Sequence, residues 1–173
     1  ALGDVDGDGT LDLYVANYRT NTIRSTGLQL LEINGGLQLR TEDRDQYQLA
    51  GNGRLFELGE PDILYTNNGR GHFTQVSWTD GSFLDEAGKR LAGAPRDWGL
   101  SVLFRDIDGD GIPDIYVCND FFSPDRIWIN DGRSHFRALS PLSVRCISTF
   151  SMGIDFADLD RDGNDDFMIV DML

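Results

Sequence analysis

The chain has 173 residues, 40% of them apolar and 10% aromatic, with 5 Pro and 20 Gly. At roughly 100–200 residues per domain this is one globular domain or part of a larger one, which excludes a disordered chain and a collagen-like repeat. The 15 Lys and Arg stand against 29 Asp and Glu, and the net charge of −14 excludes nucleic acid and anionic membrane surfaces as natural partners.

In chain order, Ala1-Leu2-Gly3 has neither an initiator Met nor signal-peptide character, so the sequence reads as an excerpt of a longer chain, opening at the end of a strand. Asp4-Val5-Asp6-Gly7-Asp8-Gly9-Thr10-Leu11-Asp12 follows as an acidic loop, and Leu13-Tyr14-Val15-Ala16-Asn17 behind it predicts a strand. Residues from about 19 to 59 form an insertion. Its segments 28–33 and 37–40 flank Asn34-Gly35-Gly36, and segments 47–49 and 54–56 flank Gly51-Asn52-Gly53, which predicts two small hairpins joined by a charged loop at 41–45. Residues 61–73 then read as strand, Asn-Gly turn and returning strand, and 124–136 repeat that pattern at an offset of 63. Val102-Leu103-Phe104 and Ile154-Asp155-Phe156 are further strands. Each leads into another acidic loop, 106–114 and 158–166, and each loop leads into an apolar strand.

The three loops share the spelling D-x-D-x-D-G-x-x-D. Four carboxylates in nine residues repel one another unless a cation neutralises them. Acids at positions 1, 3 and 5 converge if the chain curls, the Gly at position 6 permits the curl, and the position-7 carbonyls of Thr10, Ile112 and Asn164 add a ligand each. Oxygen-only ligands in a flexible loop suit Ca²⁺ better than zinc, which prefers His or Cys, or Mg²⁺, which prefers a strict octahedron. The expectation is three Ca²⁺ sites.

An EF-hand would need a bidentate Glu at position 12, where this chain has Val15, Val117 and Ile169, and the loops feed strands rather than helices. The near-continuous apolarity of those strands predicts burial on both faces. One unit is therefore strand, metal loop, strand, connection, strand, turn, strand, with a period of 52 from Asp106 to Asp158. Four antiparallel strands per unit, stacked face to face, predict an all-β fold, a fragment of a β-propeller with about two and a half blades. The expected blades are 1–95 with its insertion, 96–148, and 149–173 as the start of a third. The outermost strands, around Leu13 and Val15 and around Phe167 and Ile169, are each expected to present an apolar face where one of the remaining blades of the parent propeller belongs.

The loops with their following strands, LDLYVAN, PDIYVCN and DDFMIVD, and the hairpins LYTNNGRGHF and IWINDGRSHF, resemble the FG-GAP/VCBS repeats of integrin α-chain propellers. They look most like secreted calcium-binding proteins of the ASPIC/UnbV and cartilage acidic protein type. The resemblance implies Asp4, Asp6, Asp8, Asp12, Asp106, Asp108, Asp110, Asp114, Asp158, Asp160, Asp162 and Asp166 as side-chain ligands. It also implies extracellular or cell-surface recognition of protein or glycan without catalysis. Similar propellers occur inside polysaccharide lyases, so a lyase domain and a purely structural scaffold stay as alternatives.

In an up-and-down blade the metal loops and the Asn-Gly and Asp-Gly turns share one end, and the insertion lies at the other. The metals are expected to pin strand ends, and the opposite face is the expected place for a partner, unless the insertion merely covers an edge. His72 and His135 occupy equivalent turn positions and read as turn residues, with no Ser or Cys motif beside them. Cys118 is expected to be a small core residue, and a Cys118–Cys146 disulfide is the less favoured reading. Asp165 is expected to be a solvated neighbour of the ligands. Trp78, Trp98 and Trp128 are candidates to stack on a sugar, although Trp128 aligns with Tyr65 and reads as core.

Overall fold

The computed structural model describes residues 1–19, 21–121, 123–144 and 148–172. β1 (Leu2–Gly3) and β2 (Asp12–Val15) flank the first acidic loop. The insertion contributes a short helix α1 (Ile23–Thr26), the hairpin β3 (Leu30–Ile33) and β4 (Gly36–Leu39), and the hairpin β5 (Tyr47–Leu49) and β6 (Leu55–Glu57). The expected loop between these hairpins contains a single 3-10 turn at Thr41–Asp43, and the helix was not foreseen. Next come β7 (Ile63–Asn67), β8 (Phe73–Gln75) and β9 (Phe83–Leu84). The remaining strands are β10 (Gly99–Arg105), β11 (Asp114–Asn119), β12 (Arg126–Asn130), β13 (Phe136–Ala138), β14 (Ser151–Ala157) and β15 (Asp166–Asp171).

Two sheets are up-and-down blades, β1-β2-β7-β8 and β10-β11-β12-β13, and β14-β15 is a two-stranded third sheet. The second blade departs from the expected four strands. β9 runs parallel to β13, Phe136 N donates to Ser82 O at 2.7 Å, and Phe83 packs flat on Phe136 with centroids 5.1 Å apart. Two residues behind an Asp-Gly pair are too short to show any alternation, which is why the sequence pattern gave no sign of this strand.

The middle sheet explains the continuous apolar runs. All six residues of β11 are buried because successive side chains point to opposite faces and both faces are covered. Ile115 and Val117 join Trp128 and Phe136 in a core against Val5, Tyr14, Leu64 and Trp78 of the first blade. Tyr116 and Cys118 join Ile127 in a second core against Ile154, Phe156 and Ile169 of the third sheet. Each such side chain contributes about 1.5–3 kcal/mol when fully buried. The double-sided burial stops there: Phe167, Met168 and Val170 of β15 are exposed. Trp78 and Trp98 are also buried, which removes them as open sugar platforms.

The acidic loops and the hairpin turns share one end, where Thr10 Oγ1 donates to Asn67 O at 3.0 Å. The insertion leaves from the other end. It is tied to the blades there by Glu60 N to Tyr18 O at 3.0 Å and Gly59 N to Arg96 O at 3.1 Å. A Cβ on Gly59 would fall 1.6 Å from Asp97 O, so only glycine permits that approach.

Candidate metal centres

Each acidic loop closes on its own carboxylates. Asp4 accepts from Gly7 N and Gly9 N at 2.8 and 2.9 Å, Asp106 from Gly109 N and Gly111 N at 2.8 Å each, and Asp158 from Asp162 N and Gly163 N at 3.0 and 3.1 Å. The position-5 carboxylates of Asp8, Asp110 and Asp162 accept the position-7 amides of Thr10, Ile112 and Asn164, at 2.8 Å in every loop. Such a curl requires left-handed backbone at position 6, where Gly9, Gly111 and Gly163 have φ of 84°, 88° and 90°. Position 4 needs it as well. Gly7 and Gly109 meet that need freely, whereas the third loop holds Arg161 at φ 65°.

The curl gathers oxygen atoms. Single carboxylate oxygens of Asp4, Asp6 and Asp8 lie within 4.8 Å of one another, as do those of Asp106, Asp108 and Asp114, and those of Asp158, Asp160 and Asp166. This donor set is all hard oxygen, which fits Ca²⁺ and offers a zinc ion neither nitrogen nor sulfur. The Thr10 hydroxyl and then its amide hold the Asp8 carboxyl below its ordinary range.

Position 9 also works as a clamp. Asp12 is fully buried, with Val5 N on one oxygen at 2.9 Å and Asn67 N on the other at 2.8 Å. Asp114 does the same with Ile107 N and Asn130 N, both at 2.8 Å. Burial pushes both carboxyl groups upward, and a cation alongside would oppose that push. Asp166 keeps the first of these bonds, from Leu159 N at 3.0 Å.

Position 2 keys the loop into the core. Val5 is fully buried between the first two blades, and its carbonyl accepts Asn130 Nδ2 of the second blade at 2.7 Å. Ile107 packs into the second core, while Leu159, with no sheet beyond it among the described residues, is 68% exposed. Sequence reasoning missed Asn67 and Asn130 as tethers, although their equivalence at an offset of 63 was the available signal.

Two further repeats of one network sit at the opposite end. Tyr14 OH donates to Asp62 at 3.0 Å and Asn17 N to the same carboxylate at 2.8 Å, and Tyr116 and Asn119 treat Asp125 alike at 3.0 and 2.9 Å. Ser151 Oγ adds a third bond to Asp125 at 2.7 Å. Burial pushes the Asp62 carboxyl up to about 6 against these hydrogen bonds. A carboxyl raised in the folded state contributes most stability below its unfolded value near 4 and loses it as pH rises through about 6. Asp62→Asn is therefore expected to gain about 2–3 kcal/mol relative to the unmutated chain between pH 4 and pH 7, read as the difference between two urea-unfolding series. Parallel series would refute it.

Other candidates fall into place. Asp165 is an exposed neighbour of the ligands, as expected, and its carboxylate also pairs with Arg105 of the second blade, the residue next to Asp106. His72 and His135 are exposed turn residues, and His135 Nδ1 lies 3.1 Å from Asp131 Oδ2. Cys118 is buried, and burial pushes its thiol up to about 12; Cys146 lies outside the described residues, and with it the disulfide reading.

Residues 59–117 and 106–169 each match the family described as FG-GAP-like repeat, and together they span more than half of the chain. The first match runs from ahead of β7 through the second acidic loop into β11, and the second from that loop through the third loop into β15. The matched unit thus crosses from one sheet to the next, taking the loop and its core residue with it. No curated protein and no solved structure matches the chain. On the two matched segments and the loops and strands they contain, the chain belongs to the FG-GAP-like repeat family.

Proposed function

We propose that this chain is a calcium-binding, non-catalytic recognition module of an extracellular or cell-surface protein. The observation that carries the reading is that each of the three loops gathers three carboxylate oxygens, from positions 1, 3 and 5 in the first loop and from positions 1, 3 and 9 in the other two. Bound calcium would be held by the position-1, -3, -5 and -9 carboxylates with the carbonyls of Thr10, Ile112 and Asn164, and would neutralise charge that the loops otherwise confine. Its role is structural, because the loops are keyed by Val5 and Ile107 into the cores between sheets. A protein or glycan partner is assigned to the opposite end, around the insertion, where a cleft of about 230 Å³ lies between Phe56, Trp98 and Phe121.

Calcium titration tests the metal reading. The unmutated chain is expected to bind three ions and Asp108→Ala two, whereas Asp165→Ala keeps three; equal loss in both variants would place the ligands one residue away. For the partner, arrays of extracellular proteins and glycans are probed with the full chain and with residues 20–58 replaced by a short connector. Loss of binding with calcium stoichiometry unchanged is expected, and retained binding would move the site to other loops. Unsaturated products from acidic polysaccharides would overturn the non-catalytic reading.

A further inference from the structure

Given the assignment of the partner to the end that bears the insertion, on which the inference rests, we propose that the cleft between the insertion and the second blade takes an extended acidic peptide. The peptide pairs with the outer edge of β6 as an added strand. Register fixes which groups lie on that edge. Ala50 N donates to Arg54 O at 2.8 Å and Leu58 N to Gln46 O at 2.9 Å, so the hydrogen-bonded pairs of this hairpin are Ala50 with Arg54, Gln48 with Phe56, and Gln46 with Leu58. Leu55 and Glu57 fall at the alternate positions, where the backbone N–H and C=O turn away from β5. β5 and β6 form a two-stranded sheet, and these outward groups have no partner among the described residues.

A cleft of about 230 Å³ runs along that edge. Successive side chains of a strand alternate between its faces, so a cleft bordered by four in a row, Arg54, Leu55, Phe56 and Glu57, follows the edge rather than one face. Trp98 and Phe121 form the far wall. Phe121 is 38% exposed and has φ of 56°, a left-handed value that a bulky side chain keeps only where its surroundings impose it. The buried Asp120 imposes it, its carboxylate accepting Phe121 N at 2.8 Å and Tyr18 OH at 3.0 Å. Strain of this kind gathers at ligand clamps. Trp98, 7% exposed, carries an indole N–H with no partner among the described residues. A large apolar side chain of the added strand fills the space between these rings. The edge offers donors and acceptors at strand spacing, which a peptide backbone answers and a sugar ring does not.

Charge selects an acidic peptide. A second cleft of about 290 Å³ shares Phe56, Glu57 and Trp98 with the first and adds Arg96 and Asp97. The carboxylates of the two clefts are already matched, Glu57 by Arg19 at 3.7 Å and by Ile23 N at 2.7 Å, and Asp97 by Arg126. Arg54, exposed and stacked 4.8 Å from the centre of the Phe56 ring, and Arg96, 3.7 Å from the exposed Asp45, leave the two rims positive. Residues 19–59 hold 5 Arg against 5 Asp and Glu, so the net charge of −14 lies wholly outside the insertion.

The full chain in calcium is screened against a displayed library of linear peptides of about nine residues with Glu-x-Phe-x-Glu at the centre, and against the same library with Lys at both Glu positions. Enrichment is expected from the acidic library alone. With the selected peptide bound, amide exchange is expected to slow at Leu55 and Glu57 and to stay unchanged at Phe56, whose N–H already pairs with β5. Leu55→Pro removes one outward N–H while leaving the β5 pairing, and is expected to weaken binding at least about tenfold. Phe121→Gly, which relieves the left-handed backbone, is expected to weaken it as much with no loss of melting temperature. No enrichment from either library, stronger enrichment from the Lys library, or unchanged exchange at Leu55 and Glu57 in the complex would each overturn the proposal. A partner from the protein and glycan arrays that needs residues 20–58 yet binds Leu55→Pro and Phe121→Gly with full affinity would overturn it too, and would leave the partner assigned to this end.

Discussion

Chelating calcium is expected to lower the melting temperature of this chain by on the order of 10–30 °C. Extracellular calcium modules bind at roughly 10⁻⁴–10⁻³ M, so about 10 mM calcium stands at some 10–100 times the dissociation constant and stabilises each site by about 1.4–2.7 kcal/mol. Three sites on separate sheets add to about 4–8 kcal/mol, and each kcal/mol shifts the midpoint by about 2–4 °C at this chain length. The loops transmit the effect inward. Without the ion, carboxylates within 4.8 Å of one another repel, and the strain falls on Asp12 and Asp114, which hold Val5 and Ile107 in the cores. The third loop, with Leu159 exposed and Arg161 in left-handed backbone, should be the first to lose its ion as calcium is withdrawn. Melting curves that superimpose with chelator and with millimolar calcium would end the reading of these loops as calcium sites.

The features legible in the sequence are those written in local chemistry and repeated. Three copies of one acidic spelling gave the loops, and the Asn-Gly and Asp-Gly turns gave the hairpins. Apolar strands of unbroken pattern gave a sheet covered on both faces, which β11 satisfies in full. Contacts between units were not legible, because no local pattern encodes which sheet a residue meets. Val5 and Leu159 occupy the same loop position with similar side chains, yet one is fully buried and the other 68% exposed. The clamp role of Asp12 was hidden for a related reason: its amide partner on Asn67 is 55 residues away, across the insertion. Asp165 looked idle because its partner, Arg105, belongs to another sheet.

Phe83→Ala is expected to destabilise the chain by about 3–5 kcal/mol, the range for truncating a buried Phe. Phe83 is fully buried, with its ring 3.9 Å from that of Trp78 and 5.1 Å from those of Trp128 and Phe136. Those neighbours come from both blades, so the cavity would open in the middle of the contact that joins them, where rigid sheets on either side limit collapse. Phe73→Ala is the control. It removes the same side chain from the hairpin position equivalent to Phe136, on which Phe83 packs, but Phe73 is 46% exposed and no strand lies outside β8 among the described residues. In dilute solution that substitution should cost under about 1 kcal/mol. Denaturant unfolding at fixed calcium measures both, and the informative quantity is their difference. Equal costs for Phe83 and Phe73 would mean that β9 does not hold the second blade against the first. A large cost for Phe83 alone makes this two-residue strand, absent from the repeat pattern, a principal fastening between the two blades.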